Sequence, residues 1–348
     1  PCDNRACSWD IARDADSPER ALRVASALIP DDPRDPPTLV AIVRTLAAAA
    51  INVLNDVAPG DWALVHLLAL LEPVNIETFM ADRPFARDLF LTHLDASPAQ
   101  AAEIHSFLDA RLRPLRPLAA AMTHAQDRVS ITDWLHSSDV LLLRENQGPD
   151  ISSARTNQAL IELAIQALLD PSLHPTADTW VFFHGLEQIG RLDCLLTLVR
   201  HGPAHNVFTV LSLGDIESLQ RHYGPDATAL VGHCGNYAFL GTNNPVTARW
   251  ASEIIGTQEV VRLQQHEAVL DGDKSQGFAV ARQVRPVVAP GELQQLPASS
   301  RHNGLVGYFK HNSQSPYRGE IAPDELFSQL LEPTPKETPA LQSRPAEQ

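Results

Sequence analysis

The sequence predicts an α/β protein: a parallel sheet flanked by helices, with an all-helical unit ahead of it. Three observations carry that prediction. From about residue 17 to 124, apolar residues recur at three- and four-residue spacing and β-branched runs are scarce, the pattern of packed amphipathic helices. After Asp127, short apolar runs of strand length alternate with helical patterns, the grammar of a parallel sheet. Those runs are continuously hydrophobic, as expected for strands covered on both faces.

Taking the elements in order, Ser17-Pro18 opens the first helix, with Ser17 as its cap and Pro18 suited to the first turn. Leu22, Val24, Ala27 and Leu28 are its apolar positions. The run DDPRDPP at 31–37 breaks it. An Ala-rich helix over about 38–55 and another over about 61–72 follow, separated by Asn55, Asp56, Pro59 and Gly60. Shorter helices near 75–81 and 85–94 lead to a longer one over 98–113, capped by Ser97 and kinked or ended by Pro114 and Pro117.

The second region begins with DVLLL (139–143) as a strand and a helix over 152–170. TWVFFH (179–184) and NVFTVLSL (206–213) are the next strands, with a helix over 191–201 between them. Helices over 215–222 and 226–232 precede the strand YAFLG (237–241). A helix over 244–256 follows, with Asn244 as cap and Gly256 as stop. From Val260 the pattern loosens into QEVVRLQQ and ARQVRPVV, read as edge strands, then a short helix at 290–296 and the strand-like GLVGYF (304–309). Beyond Glu332 the chain is too poor in apolar residues to offset ordering, and residues 332–348 are expected to be a disordered, Pro-rich tail.

Composition narrows the function classes. At 348 residues the chain holds about two units, each able to bury its own core. Net charge is −15, and it stays negative even with all 14 His protonated, so any nucleic-acid contact must be local. Cys2, Cys7, Cys194 and Cys234 are too few and too scattered for a disulfide framework, which fits a reducing compartment. The apolar stretches at 46–54 and 62–71 fall short of the roughly 20 residues that span a bilayer, so no membrane contact is expected of this segment. The chain opens at Pro1 inside a motif-like run, PCDNRACSWD, with no signal peptide; further sequence is expected upstream.

No glycine-rich phosphate loop with its Lys is present, and no G-x-G-x-x-G stands at a strand-to-helix turn. TWVFFHGLEQIGRL (179–192) has the form of a hydrophobic strand ending in a catalytic turn, where a nucleotide-driven motor places acids on Mg²⁺ and beside the attacking water. Here that place holds His184 and Gly185. Imidazole is a poor ligand for a hard cation, and glycine has no side chain to orient water. Glu187 lies two residues on and reaches the site only if the loop is rearranged.

For metal binding, His201 and His205 have the spacing of a helical pair, but Gly202-Pro203 breaks the helix, and His233-Cys234 lacks a second pair; no metal site is assigned. Arg111, Arg113 and Arg116 around the Pro kink, with Arg155, Arg191 and Arg200, are the candidates for DNA contact, with a solvated face as the alternative. Trp62, Phe85, Phe90 and Phe107 stand at core-like helix positions rather than as stacking platforms.

TWVFFHGLEQIGRL, LQRHYG (219–224), GHCGNYAFLGTNNPVTARWASEIIG (232–256) and RPVVAPGELQQLP (285–297) together resemble the TraD/TraG-type coupling proteins of conjugative type IV secretion. The opening PCDNRACSWD is similar to that family's N-P-L-D-x-R-x-x-x-W-D segment, and the match runs through most of the chain in the same order. The resemblance implies a RecA-like, FtsK-related nucleotide-binding domain in two pieces, 1–36 and 129–331, interrupted by an all-α domain at 37–128. It implies ATP and Mg as cofactors, a homo-hexameric ring, and DNA, relaxosome proteins and secretion-channel components as partners. The segment would be cytoplasmic, anchored in the bacterial inner membrane by sequence upstream.

Departures from the family pattern point to lost chemistry. His184 and Gly185 replace the Walker B acids, while the Walker A subregion is expected upstream of Pro1. Arg191 matches the family's L-G-R, Gly214 or a neighbour meets its strand-ending Gln, and Arg200 is displaced from its G-R-x-x-G arginine. Losing one group that stabilises phosphoryl charge costs orders of magnitude in rate. The expected function is recruitment and transfer of DNA or a DNA-protein substrate by a degenerate ATPase that does not hydrolyse by itself. The alternatives are an inactive, motor-derived interaction scaffold and an active motor whose Walker A lies upstream.

Overall fold

Parallel pairing begins with two residues: β1 (Ser8–Trp9) lies beside β2 (Arg128–Val129), with Ser8 opposite Arg128 and Trp9 opposite Val129. The structure, a computed structural model, describes residues 7–32, 34–81, 92–93, 97–125, 127–143, 151–173, 178–270, 273–300, 302–312 and 314–325. It divides into two compact units, Pro1–Gly214 and Asp215–Gln348. The tail at 332–348, Cys2, Phe85, Phe90 and most of the helix expected at 85–94 lie outside the described residues.

Between β1 and β2 every described element is helical. After α1 (Ile11–Asp14), α2 (Pro18–Leu28) starts where Ser17 Oγ accepts the Arg20 N–H at 3.4 Å. Its buried stripe is Ala21, Val24, Ala25, Ala27 and Leu28, whereas Leu22, expected on it, is 49% exposed. The residues between 21 and 28 pack every third or fourth position inward, and 22 falls off that face.

The Ala-rich helix α3 (Pro37–Val57) buries Leu46, Ala47, Ala48, Ala49, Ala50 and Ile51 in succession. Small side chains let neighbours close around the whole circumference of the helix. By length and composition α3 is long and apolar enough to cross a membrane, although the run at 46–54 alone is not, and half of its most apolar part is buried inside the unit.

Helices α4 (Leu64–Leu70), α5 (Pro73–Ala81) and α6 (Pro98–Leu112) follow. Ser97 sits at the N-cap of α6, but its hydroxyl accepts no capping bond. Pro114 falls in a 3₁₀ turn, Arg113–Leu115, and α7 (Arg116–Met122) resumes with Pro117 in its first turn, so the two prolines kink the chain rather than stop it. Trp62 is buried, and its Nε1 donates to Asn55 Oδ1 at 2.8 Å. Phe107 packs against the same core, partly buried.

A buried carboxylate closes this stretch. Asp14 accepts Trp9 Nε1 (2.8 Å), Ser130 Oγ (2.7 Å), Ile131 N (2.9 Å) and Thr132 N (3.0 Å). The last two are first-turn donors of α8 (Ile131–Leu135), which have no partner within their own helix.

The strand expected at 139–143 is absent. Leu141 and Leu143 pack against the core while Val140 and Leu142 are exposed, so the alternation of a strand is present without a neighbour to pair with. An unpaired strand leaves its backbone groups to water.

Helix α9 (Ile151–Leu169) packs on α2. β3 (Thr179–Phe183) and β4 (Val207–Leu211) then pair in parallel, Thr179 opposite Val207 through Phe183 opposite Leu211. Only one face is covered: Phe183 and Val207 are buried, whereas Trp180 is 58% and Phe182 69% exposed, which corrects the two-sided burial expected. Between the strands stand α10 (Leu186–Ile189) and α11 (Leu195–His201). The latter begins later than the sequence suggested. Buried Glu162 of α9 accepts the Asp193 and Cys194 N–H groups and thereby caps it from another helix.

In the second unit Asp215 Oδ1 accepts Ser218 N at 2.6 Å and starts α12 (Ile216–Tyr223), which α13 (Asp226–Gly232) follows. β5 (Asn236–Phe239) corrects the expectation of a further parallel strand, because it pairs antiparallel with β8 (Leu305–His311). β9 (Tyr317–Ile321), unforeseen in the sequence, completes the order β5-β8-β9. Asn244 Oδ1 caps α14 (Pro245–Ile255) on Val246 N and Thr247 N, and Gly256, at φ 114°, ends it.

The loose stretch after Val260 is one long antiparallel hairpin, β6 (Thr257–Leu270) with β7 (Asp273–Pro286). Helix α15 (Pro290–Gln294) contributes Leu293 to a core with Phe239, Ala248, Ala251, Ile255 and Val288. Among the described residues the strands thus form four small sheets, of which two, both in the first unit, are parallel.

Candidate functional site

Ligands of open parallel sheets bind beyond the carboxyl ends of the strands. At the ends of β3 and β4 the chain is tightly cross-tied. Ser212 N donates to Phe183 O at 2.8 Å and Leu186 N donates to Ser212 O at 3.0 Å. His184 is exposed. Gly185 takes the left-handed conformation, φ 65° and ψ 52°, that glycine adopts without strain, and it turns the chain into α10.

That turn brings Glu187 back to the strand ends. Its Oε1 accepts the Gly214 N–H at 3.2 Å, and a Cβ on Gly214 would stand 2.8 Å from the same oxygen, so any larger residue there would make the Glu187 carboxylate shift. Its other oxygen, Oε2, is buried and has no hydrogen-bond partner among the described residues. Four residues singled out in the sequence, His184, Gly185, Glu187 and Gly214, therefore meet at one end of one strand pair. Arg191, the fifth, donates through Nε to Asp193 Oδ1 at 3.0 Å.

The nucleotide and Mg²⁺ implied by the resemblance find a poor fit here. His184 and Gly185 offer nothing to a hard cation.

The arginines singled out for DNA are differently placed. Arg111 pairs with Asp35 and lies over the Phe107 ring, 5.2 Å from its centroid. Arg113 pairs with Asp109, whose carboxyl it holds below the ordinary pKa. Arg116 reaches Asp109 and Glu72, each at 3.3 Å. A phosphate approaching these three must compete with carboxylates already in place. Arg155 in the second turn of α9 and Arg200 in the last turn of α11 make no ion pair among the described residues.

Sequence reasoning missed the two buried acids. Asp14 and Glu162 each serve the amino end of a helix remote in sequence, and an acid on an apolar face opposite a capping run is the local signal. Burial raises the Glu162 pKa; burial and Glu162 together push the Cys194 thiol up to about 12. Among the described residues no group of three or more His, Cys, Asp or Glu side chains gathers as a metal cluster, and His201 and His205 stay apart from any such set.

A protein-family model for the type IV secretion-system coupling protein DNA-binding domain matches residues 1–316. No curated protein matches. Among solved structures the chain is similar to the unbound bacterial conjugative coupling protein TrwB, with TM-score 0.74 and 18% identity over 92% of this chain and 72% of that one. It is similar to TrwB in complex with a non-hydrolysable GTP analogue, with TM-score 0.73 and 17% identity over 92% and 72%. For TrwB in complex with ADP and Mg²⁺ the TM-score is 0.70, with 18% identity over 91% and 71%. At such identity the likeness establishes a shared fold.

Proposed function

This chain belongs to the type IV secretion-system coupling protein family, and we propose that it recruits DNA, or DNA carrying a protein, and passes it toward the secretion channel without hydrolysing ATP by its own residues. The family match over residues 1–316 carries the DNA-handling part of the reading. The exposed imidazole of His184 and the bare backbone of Gly185 at the end of β3 support the inactive part. Hydrolysis needs fixed charge around the transferred phosphoryl group, and two of the positions that would supply it are empty of carboxylate.

The same reading treats the chain as the cytoplasmic part of a subunit anchored in the bacterial inner membrane by polypeptide outside these residues. It works in a homo-hexameric ring, with relaxosome proteins and channel components as partners. The helical stretch is an all-α domain inserted into a RecA-like frame, a view supported by the parallel pairing of β1 with β2 on either side of it. Arg155 and Arg200, with no carboxylate partner among the described residues, are the phosphate contacts of the first unit.

Titrating single- and double-stranded DNA against salt tests this. Each of Arg155→Ala and Arg200→Ala is expected to lower the slope of log affinity against log salt by about 1, uniformly across sequences. Absence of binding at low salt by the assembled full-length protein would overturn the transfer reading. ATP turnover by this chain that disappears on Glu187→Ala would overturn the inactive one.

A further inference from the structure

We infer that the hairpin of β6 and β7 is a contact surface for a second copy of this chain, which it meets through the face that carries Val261, Val280, Val284, Glu259 and Arg282.

Register divides the hairpin between two faces, because directly opposed residues share a face and successive residues alternate. Gln258 stands opposite Arg285, Val260 opposite Gln283 and Arg262 opposite Ala281. That face is one a protein turns to water. Val260 and Ala281 are half-buried among the polar groups, and Arg285 Nε donates to Gln283 Oε1 at 2.9 Å. On the other face Glu259 stands opposite Val284 and Val261 opposite Arg282, with Val280 two residues before Arg282. Here Val261, Val280 and Val284 are 60%, 62% and 69% exposed.

The rest of the unit leaves this face open. The hairpin is joined to it at the root, where β7 packs on α14 and Val287 N donates to Gly256 O at 2.9 Å. From there its 14-residue strands extend about 45 Å. A two-stranded ribbon without packing is marginal in water, and apolar side chains gathered on one exposed face mark an interaction site.

The charges on that face select the occupant. Glu259 and Arg282 pair across the strands at 3.8 Å, both side chains more than half exposed, so the face is neutral and holds one charge of each sign. A polyanion gains nothing from it. A two-fold axis that crosses the face midway between these charges, at right angles to the line joining them, lays each carboxylate over the guanidinium of the other copy. The face is complementary to itself, as an isologous contact requires. Such a contact closes on two copies, so it stands apart from the ring and from the transfer of DNA, which use other surfaces.

Sedimentation of the full chain over a range of concentrations tests it. Wild type is expected to pass reversibly from one copy to two. Glu259→Arg alone, or Arg282→Glu alone, sets like charges against each other across the contact and should weaken pairing about tenfold. An equimolar mixture of the two variants should pair more tightly than wild type, because one copy then carries two cations and the other two carboxylates. The double variant, with both reversals in one chain, should return to the wild-type affinity. A role confined to one chain cannot give this pattern, since the internal pair is as broken in the mixture as in either variant alone.

Should a reversal disturb folding, Val284→Lys charges an exposed position on the same face and is expected to abolish pairing with the melting temperature unchanged. Pairing untouched by either reversal, a mixture as weak as its components, or wild type that stays a single copy throughout would overturn the inference. A larger ring that forms equally well from every variant would overturn it too, while leaving the ring reading intact.

Discussion

Replacing Asp14 by alanine tests the account of how the first unit is closed. The carboxylate receives four donors, two of them from the buried side chains of Trp9 and Ser130 and two from the opening turn of α8. Stranding a buried donor costs about 1–3 kcal/mol, and an unmet helix cap costs about 1 kcal/mol. The four do not add independently, since the empty space admits water and the carboxylate's own burial cost is relieved. A loss of about 4 kcal/mol follows, in the range for breaking a buried charged network.

Urea unfolding followed by tryptophan emission reads it well. Trp9, Trp62, Trp134 and Trp180, four of the five tryptophans, fall within the first unit. The same loss should lower that unit's melting temperature by about 8–16 °C at about 2–4 °C per kcal/mol. Asp14→Asn keeps the shape but turns an amide donor toward other donors, and should cost about half as much. A loss below about 1 kcal/mol for Asp14→Ala would refute the reasoning, and with it the idea that one carboxylate pins β1, α1 and α8 together.

Three further outcomes are expected. Asn244→Ala removes the oxygen that caps α14 and should destabilise the second unit by about 1 kcal/mol, read through Trp250 within that helix. Asp170 accepts Ser172 Oγ at 2.6 Å and Ser172 N at 2.9 Å and pairs with Arg23 at 2.8 Å, contacts that lower its pKa from 3.8 to about 2. A folded value below the unfolded one gives stability that is complete above the unfolded pKa and lost as pH falls through the folded one. Unfolding midpoints of Asp170→Asn should therefore fall less steeply than wild type from about pH 4 to about pH 2. Cys194, its thiol pushed up to about 12, should resist alkylation in the native protein while exposed Cys7 reacts, as peptide mass mapping will show; equal rates would contradict the burial described.

What could be foreseen was governed by neighbours in sequence. Ser17 before Pro18, and Asn244 before Pro245 with Gly256 beyond, fix helix ends within a few residues of themselves, and α2 and α14 begin and stop there. Pairing is set by residues far away, so it was not legible. YAFLG reads as a strand, yet nothing in it says that its neighbour is the antiparallel β8 rather than β4. DVLLL has the right alternation, and the structure offers it no strand to join. YRGEI carries no strand signal in the sequence, and it becomes β9 by pairing with the edge of β8.

The candidate site divides in the same way. That β3 ends without an acid was plain from TWVFFHG. That Glu187 returns to touch Gly214, 27 residues on, depended on the left-handed turn at Gly185, which the sequence permits without dictating. Leu22 shows the limit within one helix, since its period admits two faces and only the packing of α3 and α9 on α2 decides which is inside.

The uncovered side of β3 and β4 gives the molecule an optical reporter of its own. Trp9 and Trp62 sit in dry surroundings at 4% and 2% exposure, whereas Trp180 is mostly in water and lies 5.1 Å from the Phe208 ring. Any polypeptide that settled on that aromatic side would dry the indole and shift its emission to the blue, with no label attached. The same wet indole predicts that this ribbon is a further place where the isolated protein sticks to itself, so dilution alone should alter its fluorescence.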